Sequence, residues 1–564
     1  MKIEIIVNKA DFEYDIFGLV QAFYPREEIE IVYDVADEDA RSLPYQTRNH
    51  RRHREEKGRD KTGKQIASTK ATEEPDEQIA STKATEEPDE QTASTKATEE
   101  PDEQTACDKP DRILRVEYLP GQIHIAFAPE GDFRYDHIEK LPSDWPEDPA
   151  HDKTVRPEMK NILKMAVYDI LSEETGKTLP WGTLTGIRPT KIPLRMVQDG
   201  ASDQEISIFM KEHYKSSDEK IAIATEIAHR EAKILSGIDT DKGYSIYIGI
   251  PFCPTTCLYC SFPSYARASF EGQVDAYLAA LEKEIRFTAE AMKDHILDTV
   301  YIGGGTPTSL SAAELDRLFR IMDEALPMDS VKEFTVEAGR PDSIDREKLQ
   351  VMKKHKVSRI SVNPQTMQDK TLKLIGRRHT AAQLVDAFQM AREEGFDDIN
   401  MDLILGLPGE TVDDVRYTLD RVKEMAPDNL TIHSLAIKSK SRLNQQWEDY
   451  RTYAMENSDE LMSMSLETAA ALGLEPYYLY RQKNMIGNLE NVGFSKPHLA
   501  GLYNILIMEE VESIIALGAG TSSKYVSDHG RNVKRTENVK DIPTYIDRID
   551  EMIGRKKEAI LKWL

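Results

Sequence analysis

YSIYIGIPFCPTTCLYCSF (residues 244–262) sets an apolar, β-branched run directly before three cysteines, Cys253, Cys257 and Cys260, in the spacing C-x3-C-x2-C. A short apolar run bounded by proline reads as a buried strand. The cysteines then occupy the loop at its C-terminal end. Further apolar runs of strand length follow at 298–303, 332–337, 358–363, 399–405 and 429–435, each succeeded by a helical stretch. That alternation predicts right-handed βαβ units and a parallel sheet, open or closed as a barrel. Active sites on such sheets gather at the C-terminal strand ends, and the chemistry-bearing residues of this region fall there.

Thiolates are soft donors suited to iron–sulfur clusters or zinc. Structural zinc closes its tetrahedron with a fourth Cys or His, yet neither residue occurs between 261 and 294, and Cys107 ends a low-complexity stretch. Three thiolates on a [4Fe–4S] cube leave one iron open, and that vacancy can take the amino and carboxylate groups of S-adenosylmethionine. One electron then splits the C–S bond to a 5′-deoxyadenosyl radical, chemistry that belongs to the cofactor while the protein orients it. Around this loop, YIGGGTPT (301–308) ends the second strand with three glycines, which let backbone approach a ligand closely. Glu337, Gln365, Arg377 and Asp402 lie at successive strand ends. Together they offer carboxylates for ribose hydroxyls and a guanidinium for a carboxylate.

With these motifs the chain resembles the radical SAM superfamily, which carries the same CxxxCxxC sequence. The resemblance implies a partial (β/α)6 TIM-like barrel over about 241–440, a [4Fe–4S] cluster on Cys253, Cys257 and Cys260, and Tyr259 against the adenine. Within the superfamily it is similar to the oxygen-independent coproporphyrinogen III dehydrogenase group. That likeness places Tyr247, Gly304, Thr306, Glu337, Gln365, Arg377 and Asp402 on cofactor-contacting positions, with Tyr247 beside the cluster and Gly305 in the glycine turn that receives the methionine amino group. EPYYLYRQKNMIGNLENVGF (475–494) carries the likeness beyond the barrel, toward the HemZ-type proteins. It implies radical-driven oxidative decarboxylation of coproporphyrinogen III to protoporphyrinogen IX in heme biosynthesis. Arg481, Lys483, Asn484 and Asn488 are then candidates for the porphyrinogen carboxylates, and no catalytic residue is expected beyond the cluster site. HemN-type dehydrogenases have a cysteine where this chain has Phe262 and a histidine where it has Gly249. HemW-type heme chaperones also lack that cysteine, so a heme-binding delivery protein is the alternative. An electron donor such as flavodoxin or ferredoxin is implied by the radical chemistry.

Outward from the barrel, the chain opens with strand, helix and strand patterns (1–7, 11–24, 28–35), and RILRVEYLPGQIHIAF (112–127) reads as a hairpin about Pro120-Gly121. Between them a 13-residue acidic unit repeats at 65–77, 78–90 and 91–103, with four acids against one lysine in each. Such a unit has too little apolar surface to offset its chain entropy. The expected organisation is an N-terminal α/β domain (1–36 plus 111–240), a disordered insert (37–110), the barrel (241–440) and a mostly helical, substrate-covering C-terminal region (441–564). PWGTLTGIRPTKIPLRM (180–196) either packs on the next domain or forms a basic lip. Net charge is −26 from 73 basic and 99 acidic residues, which argues against nucleic acid as the partner. No apolar run is long enough to span a membrane and no signal-peptide pattern opens the chain, so a cytoplasmic protein is expected.

Overall fold

The computed structural model describes residues 1–25, 27–34, 110–129, 133–455, 457–482, 485–527 and 530–564. The acidic repeat, Cys107, Lys483 and Asn484 lie outside the described residues, as does the side chain of Asn488. The chain divides into two compact units, Met1–Glu13 with Glu27–Ala150 and Tyr14–Arg26 with His151–Leu564.

The first unit is a five-stranded sheet in the order β2-β1-β3-β4-β5, formed by β1 (Lys2–Val7), β2 (Glu28–Tyr33), β3 (Arg112–Leu119), β4 (Gln122–Pro129) and β5 (Tyr135–Lys140). Alternation in KIEIIV buries Ile3, Ile5 and Val7 on one face. The β3–β4 hairpin turns at Gly121, whose φ of +67° suits a residue without a Cβ.

In the second unit an eleven-stranded sheet runs β14-β15-β13-β12-β11-β10-β9-β6-β16-β17-β18. Six parallel strands form its centre: β6 (Gly243–Ile250), β9 (Ile296–Gly304), β10 (Glu333–Gly339), β11 (Arg359–Val362), β12 (Ile399–Leu405) and β13 (Asn429–Ser434). They neighbour one another in sequence order and are separated by helices, the partial (β/α)6 barrel that the family resemblance implies. A two-residue pair, β7 (Phe252–Cys253) with β8 (Tyr265–Ala266), ties off the cysteine loop. To the helices expected after residue 440 the structure adds β14 (Glu475–Tyr480), β15 (Asn491–Ser495), β16 (Ser513–Leu517), β17 (Ser522–Ser527) and β18 (Asn532–Glu537). Runs of five or six residues carry too little periodicity to read alone; these become strands because sheet edges await them. β16 lies parallel to β6, from Ser513 opposite Tyr244 to Leu517 opposite Ile248.

Parallel strands covered by helices are normally apolar on both faces. Here only the outer face is. Ile246, Ile248 and Ile250, Val300 and Ile302, Phe334 and Val336, Ile360 and Val362, Met401 and Leu403, and Leu430 and Ile432 share the helix-covered core. The intervening positions are Tyr301, Thr335, Glu337, Arg359, Ser361, Asn400, Asp402, Thr431 and His433, and all of these line one cavity. The sheet must curl for residues of five strands, β9 to β13, to do so.

The helices Arg156–Thr175, Lys191–Gln198, Asp203–Tyr214 and Asp218–Leu235 fall in this second unit, not with the N-terminal sheet. A buried ion pair accounts for it. Lys220 Nζ lies 2.7 Å from Glu490, which also accepts a 2.8 Å hydrogen bond from the Trp181 indole. Arg188 pairs with Glu510 at 2.6 Å. Trp181 and Arg188 are thus committed to packing, not to a basic lip. At the other end, Glu284 is fully buried and accepts from Gly518 N (2.8 Å), Asn538 (2.8 Å) and the Tyr545 hydroxyl (2.6 Å), with Lys556 Nζ 2.7 Å away. This joins the helix Ile549–Trp563 to the helix Val274–Ala291 beside β6. Among the described residues no helix is long and apolar enough to cross a membrane.

Removing one partner of a buried pair leaves an uncompensated charge, at about 3–5 kcal/mol. Lys556→Met should therefore lower the denaturant midpoint of unfolding markedly, and Lys556→Met with Glu284→Gln should recover part of the loss.

Candidate functional site

The cavity inside the barrel measures about 370 Å³ and opens at the C-terminal strand ends, where Cys253, Cys257 and Cys260 line it together. Cys253 is buried and the other two are half-buried. Burial pushes the Cys253 and Cys260 thiols up from their ordinary range. Hydrogen bonds with two segments, at 375–376 and at 443, hold the loop. Leu258 N donates to Ile375 O (2.9 Å), Thr255 Oγ1 to Gly376 O (2.9 Å) and Leu443 N to Leu258 O (2.9 Å).

The glycine turn is fitted against the first cysteine. Gly305 N donates to Ile250 O and Thr306 N to Phe252 O, both at 2.7 Å. A Cβ on Gly305 would stand 2.5 Å from Phe252 O and 3.0 Å from the Cys253 sulfur. Gly304 has a φ of +104°, a conformation costly for any other residue. The glycines are there because backbone and sulfur fill the space that side chains would occupy.

Beyond the turn, Tyr301 donates to Glu337 Oε1 at 2.6 Å, Asn400 donates to Asp402 Oδ1 at 2.7 Å, and His433 Nε2 lies 3.9 Å from Asp402. The two carboxyls are driven apart. Burial, reinforced by Asp402 and opposed by the Tyr301 hydroxyl, pushes Glu337 up to about 7. Burial also raises Asp402, but His433, Asn400 and Thr431 outweigh it and hold Asp402 below the usual carboxylate range. Gln365 is buried at a φ of +64°, a strained conformation for a side-chain-bearing residue. Its main chain bridges to β12, accepting from Ile404 N at 3.0 Å, and its Oε1 is buried with no partner. Arg377 donates from Nη1 to Asn363 O at 2.6 Å, its buried Nε has no partner, and it lies against Tyr259 and Cys257.

Of the residues singled out in the sequence, Tyr259, Gly304, Gly305, Thr306, Glu337, Gln365, Arg377 and Asp402 line this cavity with the three cysteines. Tyr247 stands behind the wall, its ring stacked on Tyr301 at 6.0 Å and Tyr503 at 6.2 Å. Arg481 faces away: its neighbours Tyr480 and Gln482 line the cavity. Its own N–H donates to Ile187 O at 2.7 Å and its guanidinium to the Leu184 carbonyl. The sequence reading passed over the side chains one pleat deeper, namely Thr335, Ser361, Asn400 and Thr431. Counting back two residues along the strands from Glu337, Asn363, Asp402 and His433 reaches them.

It also passed over Arg340. This arginine is 3% exposed and holds Asp342 in a bidentate pair (2.9 and 2.7 Å). Its Nη1 donates to Thr255 O and Thr255 Oγ1, both at 2.8 Å, and lies 3.9 Å from the Cys257 sulfur. Two guanidiniums, Arg340 and Arg377, therefore flank the middle cysteine.

This donor set fits a three-thiolate [4Fe–4S] cluster with an S-adenosylmethionine beside it. Soft sulfur ligands converge on one mouth, and the unpartnered Gln365 Oε1, Arg377 Nε and Ser361 Oγ point to a polar ligand in the cavity.

A sequence profile of the Radical SAM superfamily matches residues 247–422. The chain is 41% identical to the oxygen-independent coproporphyrinogen-III oxidase-like protein HemZ of Bacillus subtilis, over 71% of this chain and 80% of that protein. It is 33% identical to the heme chaperone HemW of Bacillus subtilis, over 54% and 76%. It is 31% identical to the oxygen-independent coproporphyrinogen III oxidase of Escherichia coli, over 35% and 42%. Among solved structures, the coproporphyrinogen III oxidase HemN of Escherichia coli superposes with a TM-score of 0.43 at 24% identity, over 55% of this chain and 70% of that one.

Second-layer partners of a metal site typically contribute about 10–100-fold in metal affinity. Arg340→Met should weaken cluster retention on that scale, read as iron and sulfide per chain after anaerobic reconstitution, with Arg340→Lys intermediate. Cys257→Ala should abolish retention.

Proposed function

This chain belongs to the radical SAM superfamily, in the branch of coproporphyrinogen-III oxidase-like proteins that includes HemZ, and we propose on that premise that it oxidatively decarboxylates two propionates of coproporphyrinogen III to the vinyl groups of protoporphyrinogen IX. The observation that carries the reading is the extent of the likeness. The alignment with HemZ runs for 403 residues, more than twice the span 247–422 that the superfamily as a whole accounts for.

On this reading Cys253, Cys257 and Cys260 hold a [4Fe–4S] cluster. Bound there with S-adenosylmethionine, it would supply one-electron radical chemistry for removing a hydrogen atom from each propionate, with carbon dioxide leaving and one electron passing to an acceptor. The chain's own residues bind, orient and shield. Backbone at Gly304 and Gly305 receives the methionine amino group and Arg377 its carboxylate, while Glu337 and Asp402 accept the ribose hydroxyls. Thr306 and Gln365 complete the polar contacts, and Tyr259 flanks the adenine. Tyr247 supports this wall through its stack on Tyr301. Tyr478, Tyr480 and Gln482, which line the cavity on and just after β14, are the candidates for the substrate carboxylates.

A second reading, a heme-binding chaperone, is supported by the 33% identity to HemW over 76% of that protein. One experiment separates them. Reconstituted protein incubated anaerobically with S-adenosylmethionine, dithionite and coproporphyrinogen III should yield protoporphyrinogen IX and carbon dioxide. Stable heme uptake without turnover would overturn the dehydrogenase reading.

The pH dependence follows from Glu337. Below about 7 its carboxyl is protonated and above it is a carboxylate, the better acceptor for a ribose diol. The KM for S-adenosylmethionine should fall as pH rises through about 7, and Glu337→Gln should flatten that dependence.

A further inference from the structure

Where it borders the cavity, the cysteine loop presents an unusual face, and Phe262 and Lys438 there are both among the cavity-lining residues. Phe262, two positions after Cys260, is 61% exposed, and Lys438 Nζ stands 5.8 Å from its ring centroid. A large exposed aromatic beside a buried centre is the kind of surface that interfaces use. The two segments that clamp the loop, around 373–378 and 438–443, carry Lys373, Arg378, Lys440 and Arg442, all exposed. Arg442 Nη2 reaches the Thr256 carbonyl at 2.7 Å, so this cation sits directly on the loop. Among the described residues none of these four, nor Lys438, is ion-paired, although the chain carries 99 acids against 73 bases. The acids that follow at Glu448 and Asp449 do not neutralise them; Glu448 is held by Arg451 at 2.6 Å.

Two anions could answer these charges, a carboxylated substrate or an acidic protein. The placement favours the protein. Of the five cations only Lys438 lines the cavity; the other four are exposed and outside its lining, where a small substrate bound in the barrel interior would leave them unused.

We propose that this face, formed by Phe262 and Lys438 with the exposed Lys373, Arg378, Lys440 and Arg442 of the two clamping segments, docks an acidic one-electron carrier protein of the flavin or iron–sulfur class. The proposal rests on the reading that a reducible cluster sits on Cys253, Cys257 and Cys260. In the step it serves, the carrier loses one electron and the cluster site gains it. No bond forms or breaks between the two proteins. Opposed charge fields speed encounter and fix orientation more than they add affinity, and they weaken with salt.

The test uses the full-length reconstituted protein, purified flavodoxin as the carrier, and the variant Lys373→Glu/Lys440→Glu, whose side chains lie outside the cavity. With dithionite as reductant, S-adenosylmethionine cleavage should match wild type. With flavodoxin hydroquinone, kcat/KM for the carrier should fall about tenfold or more. The wild-type rate should drop with added salt while the variant's should not. Binding of oxidised flavodoxin, followed by titration calorimetry, should weaken in parallel. Equal carrier-driven rates in variant and wild type would overturn the proposal. So would a raised KM for coproporphyrinogen III in the dithionite assay with no carrier effect, which would assign the face to substrate. If wild type cleaves no S-adenosylmethionine even with dithionite, the cluster reading itself fails and the docking proposal falls with it.

Discussion

A polar side chain taken out of water must find a partner, and the barrel of this protein takes in more than a dozen of them. Unpaired, each would cost on the order of 1–3 kcal/mol. The fold tolerates this because the two faces of each strand are given different work. The outer face is apolar and secures the helices. The inner face is left to Thr, Ser, Asn, Glu, Asp and His, which satisfy one another in short chains such as Thr431 to Asn400 to Asp402. Where those chains end, at Ser361, Gln365 and Arg377, an atom is left over. The interior is thus the shape of a ligand as much as of a barrel.

The cysteine loop depends on that interior from the other side. It has little structure of its own beyond the β7–β8 pair, and it is positioned by carbonyls and N–H groups of segments far away in sequence. Arg340 makes the dependence electrostatic as well as geometric. A cation already fixed by Asp342 leans on Thr255 and stands 3.9 Å from the Cys257 sulfur. Strain at Gln365 belongs to the same arrangement, with a main chain forced positive in φ by its bridge to β12 so that its side chain faces inward.

Much of this was legible in the sequence, and for a clear reason. Six apolar runs predicted six strands within a few residues of where they stand, because a buried parallel strand must be apolar on at least one face. Glu337, Gln365 and Asp402 could be picked out as polar residues interrupting apolar runs at strand ends. What escaped was whatever depends on distant pairs. Arg340 matters through Thr255, and the helices of 156–235 join the barrel through Lys220 and Glu490; neither partnership leaves a local pattern. Arg481 shows a subtler limit. The β14–β15 register shifts between Pro476 and Tyr478, so counting alternate residues along the strand cannot tell which face each side chain takes.

The position of β16 bears on the order in which the protein can be made. Strand β6, which leads into the cysteines, is flanked by β9 on one side and on the other by a strand drawn from residues 513–517. Until those residues leave the ribosome, β6 has an open edge, and Glu284 waits for Lys556 with no counter-charge. Folding that proceeds from the N-terminus outward therefore leaves the region around the cysteines incomplete through most of synthesis. Iron loaded early would meet a floor not yet built, so the architecture favours maturation of the site as a late event on a finished chain.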